Sequence, residues 1–110
     1  MGRESRRMHR RDVVGMIDVI NTMTGETMGQ LGNLSVGGML LIASVRLTED
    51  ALYQCRFVLP ESDDGSIEVG AHILWLDDAS APGQSWAGVR FLGVDPDTTR
   101  RLRAWCQPKA

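Results

Sequence analysis

The feature that most limits what this chain can become is a pair of period-two runs separated by a charged break. Ala51, Tyr53, Cys55, Phe57 and Leu59 alternate with Leu52, Gln54, Arg56 and Val58; Ile67, Val69, Ala71, Ile73 and Trp75 alternate with Glu68, Gly70, His72 and Leu74. Alternation of this kind sends one set of side chains to a core face and the other outward, as in a half-buried antiparallel strand. Pro60 closes the first run, and the polar residues 61–65 read as a charged hairpin loop. The same reasoning predicts strands over residues 12–20, 26–34, 39–44 and 85–92, with polar turns at 21–25 and 77–84. Asp95-Pro96 is a helix N-cap followed by a first-turn proline, and Leu102, Trp105 and Cys106 then recur at helical spacing. About six short strands and one closing helix predict a mainly β fold. We expect a small six-stranded antiparallel β-barrel with a C-terminal α-helix, not a parallel α/β sheet.

A chain of 110 residues and 12.1 kDa supports one core, and 43% hydrophobic with 24% charged residues is the balance of a folded soluble domain. No apolar run reaches the roughly 20 residues of a membrane-spanning helix, and the N-terminus lacks a secretory signal's apolar stretch, so a cytoplasmic location without membrane insertion is expected. Cys55 and Cys106 are too far apart in sequence for a CxxC pair, and both read as buried reduced thiols. No metal-ligand spacing, nucleophile–base arrangement or carboxylate pair stands out, so neither a metal, a cofactor nor an enzyme is expected.

The net charge of -2 conceals an asymmetry: residues 1–11 hold five arginines against one glutamate, leaving a +4 arm on a -6 body. Arg6, Arg7, Arg10 and Arg11 stand within six residues, immediately before the first predicted strand. A guanidinium presents five donors in a planar fork, which suits phosphate oxygens, the O6/N7 edge of guanine or the face of a purine. Alone, such a run reads first as a solvated basic tail with no specific partner. A second feature, Asn33-Leu34-Ser35-Val36-Gly37-Gly38, joins an amide, a hydroxyl and two glycines where two predicted strands meet. Glycine permits positive φ or close approach of a ligand, and Asn and Ser supply short hydrogen-bonding groups; an ordinary Asn/Gly turn has the same composition.

In this order, the two features resemble the PilZ family of cyclic di-GMP receptors, whose signature pairs Arg-x-x-x-Arg with Asp/Asn-x-Ser-x-x-Gly some twenty residues later. Arg6-Arg7-Met8-His9-Arg10 fits the first part, and Asn33, Ser35 and Gly38 fit the second. The Leu59-Pro60 strand end, Ile73-Leu74-Trp75, Ala87-Gly88-Val89-Arg90-Phe91 and an arginine- and leucine-rich closing helix also look like that family. The resemblance implies a PilZ-like barrel over residues 12–110 that receives cyclic di-GMP on its surface, while a flexible arginine-rich arm, residues 1–11, folds over it as a clasp. It implies ligand contacts from Arg6, Arg7, Arg10, Arg11, Asn33, Ser35, Gly37 and Gly38, with binding but no turnover, and relay of the signal to a downstream effector protein. Arg7 and Arg11 repeat the spacing of Arg6 and Arg10, and the latter register is preferred. Asn33 offers one carbonyl oxygen where an aspartate would offer two acceptors to guanine N1–H and N2–H.

Trp75 lies in phase with Ile67 to Ile73, which favours core packing over its alternative as a stacking platform for guanine. His9 sits within the arginine motif; His72 has the opposite strand phase from Trp75 and reads as a surface or half-buried side chain. Arg100, Arg101 and Arg103 read as a solvated helix face. Two rival readings remain. A small barrel with a basic arm could hold nucleic acid, although the acidic body and 5% aromatic content count against it. A PilZ-like module without nucleotide binding could act purely through protein contacts.

Overall fold

The computed structural model describes residues 10–60, 65–79 and 81–107. The strands are β1 (Arg11–Asp12), β2 (Asp18–Asn21), β3 (Thr27–Ser35), β4 (Gly38–Ala43), β5 (Leu52–Val58), β6 (Ser66–Asp78) and β7 (Ser85–Leu92); helix α1 spans Pro96–Cys106. Neighbours in the order β3-β2-β5-β6-β7-β4 pair antiparallel, and β4 pairs back onto β3 to close a six-stranded barrel. Closure leaves none of these six strands as an open edge. The short β1 lies outside the ring, on β3, with Arg11 opposite Leu34 and Asp12 opposite Asn33.

The two alternating runs behave largely as their pattern requires. Cys55, Phe57, Leu59, Ile67, Val69, Ala71 and Ile73 are buried in the barrel, where Phe57 and Phe91 stack with centroids 6.3 Å apart. Three expectations need correction. The single strand expected over residues 12–20 is broken in two, because Gly15 adopts a φ of +94° and turns the chain, leaving Val14 and Met16 in solvent. The apolar character of Val14 and Met16 is therefore not a sign of burial, whereas Ile17 and Val19 on the far side of the turn enter the core. Next, β6 runs on to Asp78, so the loop expected from residue 77 starts later. Finally, the pairing of β6 with β7 slips between Ile73 and Trp75, which inserts Leu74 as an extra residue. That bulge reverses the alternation, and Trp75 turns outward, 44% exposed, instead of packing in the core.

Helix α1 starts where the sequence indicates. The Asp95 carboxylate accepts a hydrogen bond from Thr98 N–H at 2.7 Å, which holds its pKa below the usual carboxylate range. Leu102, Trp105 and Cys106 face the barrel, and each large apolar side chain so buried contributes about 1.5–3 kcal/mol. Trp105 Nε1–H donates to the Pro60 carbonyl at 3.0 Å, and Cys106 Sγ lies 3.3 Å from the Leu34 carbonyl. The C-terminal turn of the helix is thereby fixed against β3, directly beneath the segment that carries the second motif.

Candidate ligand-binding surface

The β3–β4 hairpin presents this motif through a bulge. Leu31 pairs with Leu41 and Asn33 with Leu40, so Gly32 is an extra residue in β3. Leu31 and Leu34, three apart, can then both face inward, while Asn33 and Ser35 share the opposite side, Asn33 half-buried and Ser35 covered to 1% exposure. Ser35 pairs with Gly38 across the two-residue turn formed by Val36 and Gly37, and the Ser35 hydroxyl donates to the Gly38 carbonyl at 3.3 Å. The Gly37 carbonyl accepts from Phe91 N–H at 2.9 Å, which ties the turn to β7. Gly38 is required by close approach: a Cβ there would stand 2.1 Å from the Val89 carbonyl oxygen.

Arg10 and Arg11 go to different places. Arg10 Nη1 donates to Asn33 Oδ1 at 2.6 Å and Nη2 to Ser35 Oγ at 3.3 Å, linking the arginine arm to the second motif across 23 and 25 positions of sequence. Arg11 points instead toward α1, where its Nη1 donates to the Trp105 carbonyl at 2.9 Å and its guanidinium stacks 4.0 Å from the indole centroid. The alternation of an extended chain separates the two neighbours onto opposite sides. Arg6, Arg7 and His9 lie outside the described residues.

The outer surface continues from the hairpin across β7 to β6. In one row Gly38 pairs with Arg90 and Arg90 with His72; in the next, Leu40 pairs with Gly88 and Gly88 with Trp75. Paired residues share a face, so these side chains continue the surface of Asn33 and Ser35. The Trp75 indole lies over Gly88, where an added Cβ would come within 2.1 Å of Nε1. The ring is thus half-exposed above a glycine, which suits stacking better than the core role that its phase suggested.

Sequence reasoning missed Arg90 and the partners of His72. His72 Nε2 lies 2.5 Å from Asp50 Oδ1, and Arg90 Nη2 lies 3.5 Å from His72 Nδ1. The outward phase of Arg90 was legible from its buried neighbours Val89 and Phe91, but its place beside Gly38 depends on pairing between strands distant in sequence. An open cleft of about 600 Å³ elsewhere, lined by Arg46, Leu76, Asp77, Asp78 and Gln84 among others, lies at the far end of β4 and offers two carboxylates against one arginine. It is poorly suited to an anion. Among the described residues, no cluster of three His, Cys, Asp or Glu side chains could hold a metal ion, and no helix is long and apolar enough to cross a membrane. The two cysteines are buried, and loss of solvation raises both thiol pKa values to about 11, at Cys106 against the opposing pull of Arg10 and Arg11.

The PilZ domain family model matches residues 5–107. No curated protein sequence matches the chain. Among solved structures, the Bacillus subtilis inhibitor of motility MotI/DgrA superposes with a TM-score of 0.73 at 15% identity, covering 92% of this chain and 48% of the other. The PilZ domain of YcgR from Escherichia coli with c-di-GMP gives 0.69 at 18% identity, covering 92% and 88%. YcgR from the same organism in complex with c-di-GMP gives 0.70 at 22% identity, covering 90% and 43%. The chain therefore spans less than half of MotI/DgrA and of the longer YcgR chain.

Proposed function

Because the chain belongs to the PilZ domain family, we propose that it binds cyclic di-GMP, without chemical turnover, on the outer face of β3, β4, β7 and β6. The observation that carries this reading is the placement of Arg10 on Asn33 and Ser35, which unites both sequence motifs at one point of the surface. Two YcgR structures with the same ligand and a similar fold support it.

The ligand has two phosphodiester charges and two guanines, and each group on the surface has matching chemistry. The Arg10 fork can hold phosphate oxygens bidentately or grip guanine O6 and N7, and Arg6 adds a second fork in the preferred register. Asn33, with Oδ1 already accepting from Arg10, has its amide N–H groups to donate to guanine O6 or N7. Ser35 contributes a hydroxyl, the Gly37-Gly38 turn leaves space, and Trp75 offers an aromatic face, with base stacking worth about 1–3 kcal/mol. We assign Arg11 to the helix and leave Arg7 as a second contact from the arm.

Relay to a downstream effector is the second part of the proposal, and the same arrangement supports it. Arg10 and Arg11 are consecutive, one on the ligand surface and the other on the C-terminal turn of α1. A ligand that draws Arg10 away from Asn33 strains the neighbouring grip on Trp105, so binding alters the exposed surface around the helix. Isothermal titration with cyclic di-GMP, beside GTP, cyclic GMP and a short oligonucleotide, tests the proposal. Saturable binding of cyclic di-GMP alone, lost in Arg6→Ala/Arg10→Ala and Ser35→Ala, is the expected result. Silence with cyclic di-GMP refutes it and leaves the protein-interaction module, or the nucleic-acid reading if the oligonucleotide binds.

A further inference from the structure

We propose that Arg90 is an additional anion-gripping residue of this surface, on the opposite side of Gly38 from Arg10, and that Asp50 and His72 hold it in position. The inference rests on the receptor reading above and adds a second cationic flank to it.

The row Ser35, Gly38, Arg90, His72 runs across three adjacent strand pairings on one outward face. At about 4.8 Å per strand, Arg90 stands roughly 10 Å from Ser35, with β4 between them. Between these flanks stands Gly38, which carries no side chain and where a Cβ would collide with the Val89 carbonyl; Gly88, in the next row, lies under the Trp75 indole. A position without a side chain thus separates two guanidiniums, Arg10 bonded to Ser35 on one side and Arg90 on the other. A ligand with two separated negative charges and flat bases fits that spacing better than it fits a single basic cluster.

Arg90 is exposed, yet its direction is set. For His72 Nδ1 to accept from Arg90, the ring proton must be on Nε2, and that is the atom facing the Asp50 carboxylate. Asp50 itself adopts a left-handed backbone, φ +70°, fixed by its N–H donating to the Ile73 carbonyl at 2.7 Å. Such a conformation is uncommon outside glycine and persists only where its surroundings enforce it. With its side chain 87% exposed, Asp50 adds little to stability through its contact with His72, so the arrangement orients Arg90 more than it holds the barrel together.

The test titrates the full chain and its variants with cyclic di-GMP at several salt concentrations, with thermal unfolding recorded beside each. Arg90→Ala should weaken binding by roughly ten- to a hundredfold, the range for losing a charge-assisted hydrogen bond, while unfolding at nearly the wild-type temperature. Arg90→Lys should recover only part of this, because an ammonium lacks the planar fork. His72→Ala keeps the charge and loses the support; affinity should fall a few-fold while salt dependence stays as in the wild type, whereas Arg90→Ala should flatten that dependence. If Arg90→Ala destabilises the fold, Arg90→Gln, which keeps the stem, decides the matter by the same two readouts. Wild-type affinity in Arg90→Ala or Arg90→Gln, alongside lost binding in Arg10→Ala, overturns this inference and leaves the receptor reading intact. No binding by the wild-type chain overturns both.

Discussion

Arg10 and Arg11 are neighbours in sequence with side chains on opposite sides, so deleting each in turn separates recognition from stability. Arg11 stacks on Trp105 at 4.0 Å and donates to its carbonyl at 2.9 Å, in a partly buried setting. A cation–π contact of this kind contributes about 0.5–2 kcal/mol and a charged hydrogen bond about 1.5–3 kcal/mol. The two share one guanidinium and are not additive, which gives about 2 kcal/mol for Arg11→Ala. For a domain of this size that lowers Tm by roughly 8–16 °C. Arg10 is exposed, its 2.6 Å contact to Asn33 lies at the surface, and the buried Ser35 hydroxyl, 3.3 Å away, keeps its bond to the Gly38 carbonyl without it, so Arg10→Ala should cost at most about 1 kcal/mol of stability. Binding should behave in the opposite way: Arg10→Ala loses cyclic di-GMP affinity by a factor of ~100, and Arg11→Ala, titrated well below its own Tm, keeps it within a few-fold. Calorimetric titration and thermal unfolding on the same samples measure both. A Trp105→Phe/Arg11→Ala double-mutant cycle should return a coupling of about 1 kcal/mol. Arg11→Ala with unchanged Tm and lost binding would refute this assignment and move the arginine register to Arg7 and Arg11.

Two further perturbations test the surface and the core. Gly88→Ala places a methyl where the Trp75 indole now lies, 2.1 Å from Nε1, and should swing the ring into solvent; expected results are altered tryptophan fluorescence, several-fold weaker cyclic di-GMP binding and a small change in Tm, while unchanged fluorescence would show that the ring does not rest on Gly88. Burial raises the Cys55 and Cys106 thiols from 9.0 to about 11, so the fold favours the neutral form; their stabilising contribution is complete below pH 9 and is lost as pH climbs through 11. Each two-unit shift corresponds to about 2.7 kcal/mol at most, and urea unfolding across pH 8–11 should show a decline that Cys55→Ala and Cys106→Ala each reduce.

Much of this protein is written locally in its sequence. Alternation in residues 51–59 and 67–73 determines which side chains enter the barrel, and Asp95-Pro96 determines where the helix starts. Both are readable because strand phase and capping depend on residues within a few positions of one another. The pairing of an arginine run with the Asn33-to-Gly38 turn was legible for the same reason: each motif is short and contiguous.

What the tertiary structure decided lies where the phase changes or where distant strands meet. The bulges at Gly32 and Leu74 each insert one residue, and the second lies inside the unbroken apolar run Ile73-Leu74-Trp75-Leu76, so a constant period sends Trp75 inward when it faces out. Residues 13–17 look like part of a strand until Gly15 turns the chain and leaves Val14 and Met16 in solvent, while Val13 packs against the core and Ile17 enters it. The separation of Arg10 from Arg11 depends on where β1 docks on β3, and the meeting of Gly38, Arg90 and His72 on the register of three strands. Local sequence sets which residues alternate; only the closing of the barrel sets which of them stand side by side, because register is fixed by the packing of the whole core and not by any one strand.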